Sequence, residues 1–190
     1  MREQAAAGTG DRLRAATEGL PAPTVLVNAA GIMIRTAITD LTAADLEALW
    51  HVNVHGTVAV TQSLLPGMIE HGYGKIINVG SLGSVRGLER RTGYATTTGA
   101  VAQYTMSLAA ETAPHGIRAN LIAPGYVATD MASTWMFDDT DRTNRLLARI
   151  PLGHFATPDD LAGTFVFLAA PASDYITGQT LLVDGGWTIT

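Results

Sequence analysis

From residue 24 onward, short apolar runs rich in β-branched residues alternate with helix-length segments, and this alternation constrains the fold of the 190-residue chain more than any other feature. The runs are Thr24–Asn28, Lys75–Val79, Ile117–Ala123 and Gln179–Val183. They read as strands buried on both faces. Strands joined by helical crossovers pair in parallel with right-handed connections, so the pattern predicts an α/β chain with a doubly wound parallel sheet. Ligands of such sheets bind beyond the carboxyl ends of the strands. Those ends carry Asn28-Ala29-Ala30-Gly31, Ser81, Pro124-Gly125 and Asp184-Gly185-Gly186.

The connecting segments carry helix signals. Residues 11–19 form a weakly amphipathic helix within an N-terminal segment, 1–21, that Leu20-Pro21-Ala22-Pro23 closes. Thr42 suits a helix N-cap, with Asp45 placed to complete it, and the pattern it opens continues to about Glu70, bent near Pro66. A further helix spans about Thr92 to Ala113, and Thr157-Pro158-Asp159-Asp160 opens the last, to about Ala170. Residues 129–156 mix helix formers with a polar DDTDRTNR stretch and read as a mobile loop.

With 47% apolar and 15% charged residues, the composition is that of one burial-rich domain, 1–190. A net charge of -5 without a Lys/Arg run argues against nucleic acid or an anionic membrane as partner. The absence of cysteine removes disulfides, thiolate zinc sites and thiol nucleophiles together. No apolar run reaches the length of a membrane span and no signal-peptide pattern opens the chain, so the expected location is cytoplasmic. His51 and His55 share a helix face, yet no third ligand lies near them, and no metal site is expected.

Ser81 leaves a strand end, Tyr94 opens the following helix, and Asn53 lies in the helix before them. Together with Asn28-Ala-Ala-Gly31, His51-Val-Asn-Val54, Ile77-Asn-Val-Gly-Ser81, Tyr94-Ala-Thr-Thr-Thr98-Gly-Ala, Asn120-Leu-Ile-Ala-Pro-Gly125 and Val183-Asp-Gly-Gly186, this order resembles the short-chain dehydrogenase/reductase family over about residues 22–190. Within it, Ala30-Gly31-Ile-Met-Ile-Arg35, Ala148-Arg-Ile-Pro-Leu-Gly153 and Ser173-Asp-Tyr-Ile-Thr-Gly178 resemble the gluconate and 2-keto-3-deoxygluconate dehydrogenase branch. The resemblance implies a Rossmann-like fold and hydride transfer with NAD or NADP. It assigns Tyr94 as general acid/base, Ser81 to the substrate oxygen and Asn53 to a proton-relay water. By the same resemblance Asn28, Ala30, Gly31, Pro124, Gly125 and Thr129 contact the cofactor, and 129–156 flanks a small-molecule substrate. Gly31, Pro124 and Gly125 also fit plain turn geometry, and Thr129 a helix cap. Arg35 and Arg149 are candidate clamps for a sugar-acid carboxylate.

Two departures from the family pattern shape the functional reading. Where the family has a lysine one turn beyond its tyrosine, this chain has Thr98, and its one lysine, Lys75, lies at the amino end of a strand. The family's Gly-rich turn for the pyrophosphate is also absent from the sequence, which implies a sheet without the N-terminal βαβ portion, a difference of roughly 60 residues. Such a sheet exposes the edge of the Thr24–Asn28 strand, so a homo-oligomer, dimer or tetramer, is expected. Two other functions fit the same residues: a lyase, isomerase or cyclase that uses the Ser81/Tyr94 pair without a cofactor, or a non-catalytic oligomer partner.

Overall fold

The computed structural model describes residues 3–129 and 136–190. Four strands, β1 (Val25–Asn28), β2 (Gly74–Val79), β3 (Ile117–Pro124) and β4 (Thr180–Val183), form one sheet in the order β1-β2-β3-β4. Every neighbouring pair is parallel, with Leu26 opposite Ile76, Ile76 opposite Ala119, and Ile122 opposite Leu181.

Successive strand residues face opposite layers. Leu26, Ile76 and Ala119 pack against α3 (Thr57–His71) and α4 (Thr92–Thr112), where Met68, Leu108 and Ala109 complete the cluster. Ile77 and Ile122 point the other way, onto Leu168 and Phe165 of α6 (Pro158–Ala169). Helices therefore cover both faces of β2 and β3, the expected doubly wound arrangement. On β1 the cover is incomplete, since Val25 and Val27 are 38% and 44% exposed.

The helix ends follow local chemistry. Thr42 and Asp45 form a reciprocal capping box at the start of α2 (Ala43–Leu49), and Thr157 donates its N–H and hydroxyl to Asp160 at the start of α6. Between α2 and α3 the backbone widens into π-helical turns at Trp50–Gly56, upstream of Pro66, through which α3 continues. A widened turn re-aims side chains, and this one carries Asn53. The N-terminal helix α1 (Glu3–Thr17) begins earlier than the sequence pattern indicates and absorbs Gly8-Thr9-Gly10 into its body. Residues 129–156 contain α5 (Thr140–Leu147), with 130–135 outside the described residues.

Candidate active site

The carboxyl ends of β1, β2 and β3 open into a cavity of about 290 Å³. Ala29, Ala30 and Gly31 approach from β1, Gly80 and Ser81 from β2, and Pro124, Gly125 and Thr129 from β3. Tyr94 and Thr98 enter from α4, and Asn53 from the π-helical turns. Of the residues singled out in the sequence, the fold brings together Ser81, Tyr94, Asn53, Ala30, Gly31, Pro124, Gly125 and Thr129.

Asn28 is not among the lining residues. Its amide donates to Asn78 Oδ1 at 2.9 Å and Thr61 Oγ1 at 3.1 Å, while Asn78 donates to Thr105 Oγ1 at 2.8 Å. This buried polar ladder ties β1 and β2 to α3 and α4, satisfying amides that would otherwise be costly to enclose.

Ser81 caps a single 3-10 turn, Leu82–Ser84, and its Oγ accepts the Gly83 N–H at 3.2 Å. Ser84 binds this loop to α4: its hydroxyl accepts the Ser81 N–H at 3.2 Å and donates to the Thr98 carbonyl at 3.0 Å. Ser81 and Tyr94 both line the cavity. Burial pushes the Tyr94 phenol above its ordinary value, and the Ser81 hydroxyl and the Arg91 guanidinium pull it back only in part. The phenol is thus held protonated at neutral pH, a donor to a developing alkoxide.

Asn53 is saturated. Its Oδ1 accepts the Ile32 N–H at 2.8 Å, and its Nδ2 donates to the Ile32 carbonyl at 3.0 Å and to Thr97 Oγ1 at 3.1 Å. The Thr97 hydroxyl in turn donates to the Tyr94 carbonyl at 2.9 Å. One side chain therefore joins the Gly31 loop to the turn that carries Tyr94.

Thr98, 4% exposed, donates its hydroxyl to the Ala95 carbonyl at 3.3 Å. Lys75 is remote from this cavity. At the amino end of β2 it pairs with Asp174 at 2.7 Å and donates to Ser173 at 3.0 Å. Gly125 is required by packing, because a Cβ there would lie 2.7 Å from the Asp184 Cα.

Thr97, Ser84 and Tyr126 are site residues that the sequence reading did not single out. Thr97 had a faint signal, lying three positions past Tyr94 on the same helix. Ser84 and Tyr126 had none, because their roles depend on the contact of one loop with a distant helix.

A family profile described as "Enoyl-(Acyl carrier protein) reductase" matches residues 9–188. The chain belongs to the short-chain dehydrogenase/reductase family. It is 42% identical over 163 residues to 2-dehydro-3-deoxy-D-gluconate 5-dehydrogenase of Bacillus subtilis, covering 86% of this chain and 64% of that protein. It is also 37% identical to acetoacetyl-CoA reductase of Allochromatium vinosum, over 92% of this chain and 70% of that one. The crystal structure of a gluconate 5-dehydrogenase from Burkholderia cenocepacia in complex with NADP and tartrate aligns with a TM-score of 0.90 and 38% identity. The alignment covers 97% of this chain and 71% of that one. The relatives place it in the gluconate and 2-dehydro-3-deoxygluconate dehydrogenase branch. The chain spans about 64% of the length of the first of these relatives. No helix among the described residues is long and apolar enough to cross a membrane.

Proposed function

We propose that this chain is an oxidoreductase that interconverts a secondary alcohol and a ketone of a sugar acid with a nicotinamide cofactor, NADP by preference. The observation that carries this reading is that Ser81 and Tyr94 line one cavity of about 290 Å³ at the carboxyl edge of the sheet. The relatives' names supply the sugar-acid class, and the NADP and tartrate bound to the Burkholderia protein agree with it.

The lining fits the nicotinamide portion of such a cofactor, with Ala30, Gly31, Pro124 and Thr129 as its walls. Bound there, the cofactor supplies or accepts a hydride. Ser81 orients the substrate oxygen, and Tyr94 donates a proton to that oxygen in reduction or removes it in oxidation. Asn53 acts through the backbone it joins, keeping the Gly31 loop and the Tyr94 turn in register. Arg91 favours the phenolate with its positive charge, but a guanidinium does not shuttle protons. Among the described residues no Gly-rich turn stands ready for the pyrophosphate, and the cavity lining holds the nicotinamide half.

The test is a calorimetric titration of the chain with NADPH and NADH, alongside NADP-linked oxidation of gluconate and the mass in solution. Saturable NADPH binding with turnover supports the reading. Absence of binding at millimolar cofactor overturns it in favour of proton-transfer chemistry without a cofactor, a role that suits a site with Thr98 one turn beyond its tyrosine.

A further inference from the structure

The loop that carries Ser81 is closed on itself. Ser81 caps the 3-10 turn Leu82–Ser84, its Oγ accepting the Gly83 N–H at 3.2 Å, and the Ser84 Oγ accepts the Ser81 N–H at 3.2 Å in return. A serine hydroxyl has one proton and two lone pairs. The Gly83 bond therefore holds the Ser81 oxygen without using its proton, the atom that a substrate oxygen needs.

Ser84 also reaches out of the loop. Its own proton goes to the Thr98 carbonyl at 3.0 Å, one helical turn beyond Tyr94 on α4. The loop lies directly on that stretch of helix. A Cβ on Gly83 would sit 3.1 Å from Thr98 Oγ1 and 3.2 Å from the Cα of Ala95, the residue after Tyr94. A Cβ on Gly80 would sit 2.6 Å from the Ser84 Oγ, so this hydroxyl takes the space that a side chain at residue 80 would fill. Ser84 does not line the cavity. Its proton and one lone pair are spent instead on joining the backbone of Ser81 to the backbone of the Tyr94 turn.

We propose that Ser84 is a positioning residue for the reaction at this site, its hydroxyl setting where the Ser81 hydroxyl stands relative to the Tyr94 phenol. The catalytic part of this role rests on the dehydrogenase reading above. Along the chain the two residues are joined through the largely exposed segment 85–90, a slack connection. Through Ser84 they are joined by two hydrogen bonds. Two groups that serve one substrate oxygen have to be held in a fixed relative geometry, because a small misplacement at the reacting centre is costly in rate. Ser84 acts on the oxygen only through Ser81.

The experiment compares Ser84→Ala and Ser84→Thr with the parent chain in NADP-linked oxidation of gluconate. Thr42→Ala, which loses a helix cap outside the cavity, is the control for general loosening. For Ser84→Ala the expected result is a kcat lower by roughly 10- to 100-fold with KM within about twofold, the pattern of an interaction that matters in the transition state. Ser84→Thr keeps the hydroxyl and recovers most of the rate, and Thr42→Ala keeps its rate despite a lower melting temperature. Unchanged kcat in Ser84→Ala, an equal loss in Thr42→Ala, or a folded Ser84→Thr no faster than Ser84→Ala overturns the assignment. A second readout needs no turnover: alkaline absorbance titration of the Tyr94 phenol, isolated by subtracting the same titration in Tyr94→Phe backgrounds. The Ser81 hydroxyl lowers the pKa of that phenol, so its displacement in Ser84→Ala moves the titration to higher pH. If the parent chain turns over with no nicotinamide cofactor, the dehydrogenase reading falls; a shifted titration then upholds the positioning role, and an unshifted one overturns it.

Discussion

The Asn53 amide donates to the Thr97 hydroxyl at 3.1 Å, across a junction between two helices that are far apart in sequence. Three hydrogen bonds to the Asn53 side chain hold the Gly31 loop against the turn that carries Tyr94. Asn53→Ala removes a buried amide and leaves the part-buried Ile32 N–H and carbonyl without their partner, a loss of about 2 kcal/mol. Urea unfolding measures this directly. Thr97→Val, which removes one of the three, costs less, and a reversed order counts against the junction.

Tyr94 sets the pH behaviour. Its pKa is raised by burial, so the protonated form is the one the fold favours. Stability from this group is complete below the ordinary tyrosine value of about 10 and is lost as pH rises through the higher folded value. Reduction of a ketone is expected to be flat through neutral pH and to fall above that point, whereas alcohol oxidation, which needs the phenolate, rises with pH. Tyr94→Phe lowers both rates by about 100- to 10,000-fold. Steady-state rates in the two directions from pH 6 upward provide the check, and oxidation independent of pH removes Tyr94 from the proton path.

Thr98→Lys places an ammonium one helical turn from Tyr94. The phenolate is stabilised by it, and the rising limb of the oxidation profile moves to lower pH. The replaced side chain is buried and in contact range of Gly83, so stability falls by about 1–3 kcal/mol through overpacking. A thermal melt and a pH–rate profile of the same variant separate the two effects; an unmoved profile in a folded variant shows that the new amine does not reach the phenol's surroundings.

Gly125→Ala tests whether the β3 end is shaped by packing or by a ligand. An added Cβ lies 2.7 Å from the Asp184 Cα and 3.0 Å from its Cβ, and backbone has to move to admit it. The expected loss is about 1–3 kcal/mol in denaturant unfolding without any cofactor present. Unchanged stability with weakened cofactor binding favours the ligand instead.

Much of this molecule is legible along the chain. The four apolar runs became the four parallel strands, and the Thr42 and Thr157 capping signals became helix starts, because each depends on neighbours a few residues away. The sequence was less informative where a side chain answers to a distant partner. Asn28 and Asn53 sit in comparably suggestive motifs, yet Asn28 turns into the interior toward Thr61 and Asn78, and Asn53 reaches the cavity. The π-helical turns that carry Asn53 have no local signature, since Trp50–Gly56 holds no proline.

The sequence by itself determined the strand and helix order, the parallel crossovers, the Ser81, Tyr94 and Asn53 triplet and the isolation of Lys75 from it. The order and the crossovers follow from periodicity and caps, and the triplet is what the resemblance of its motifs to the family implies. Only the tertiary structure decided that Thr97 and Ser84 bind the site together and that Gly125 is a packing glycine. The physical reason is that hydrogen-bond closure and steric contact depend on separations in space, and those are set when the sheet brings loops from β1, β2 and β3 to one edge.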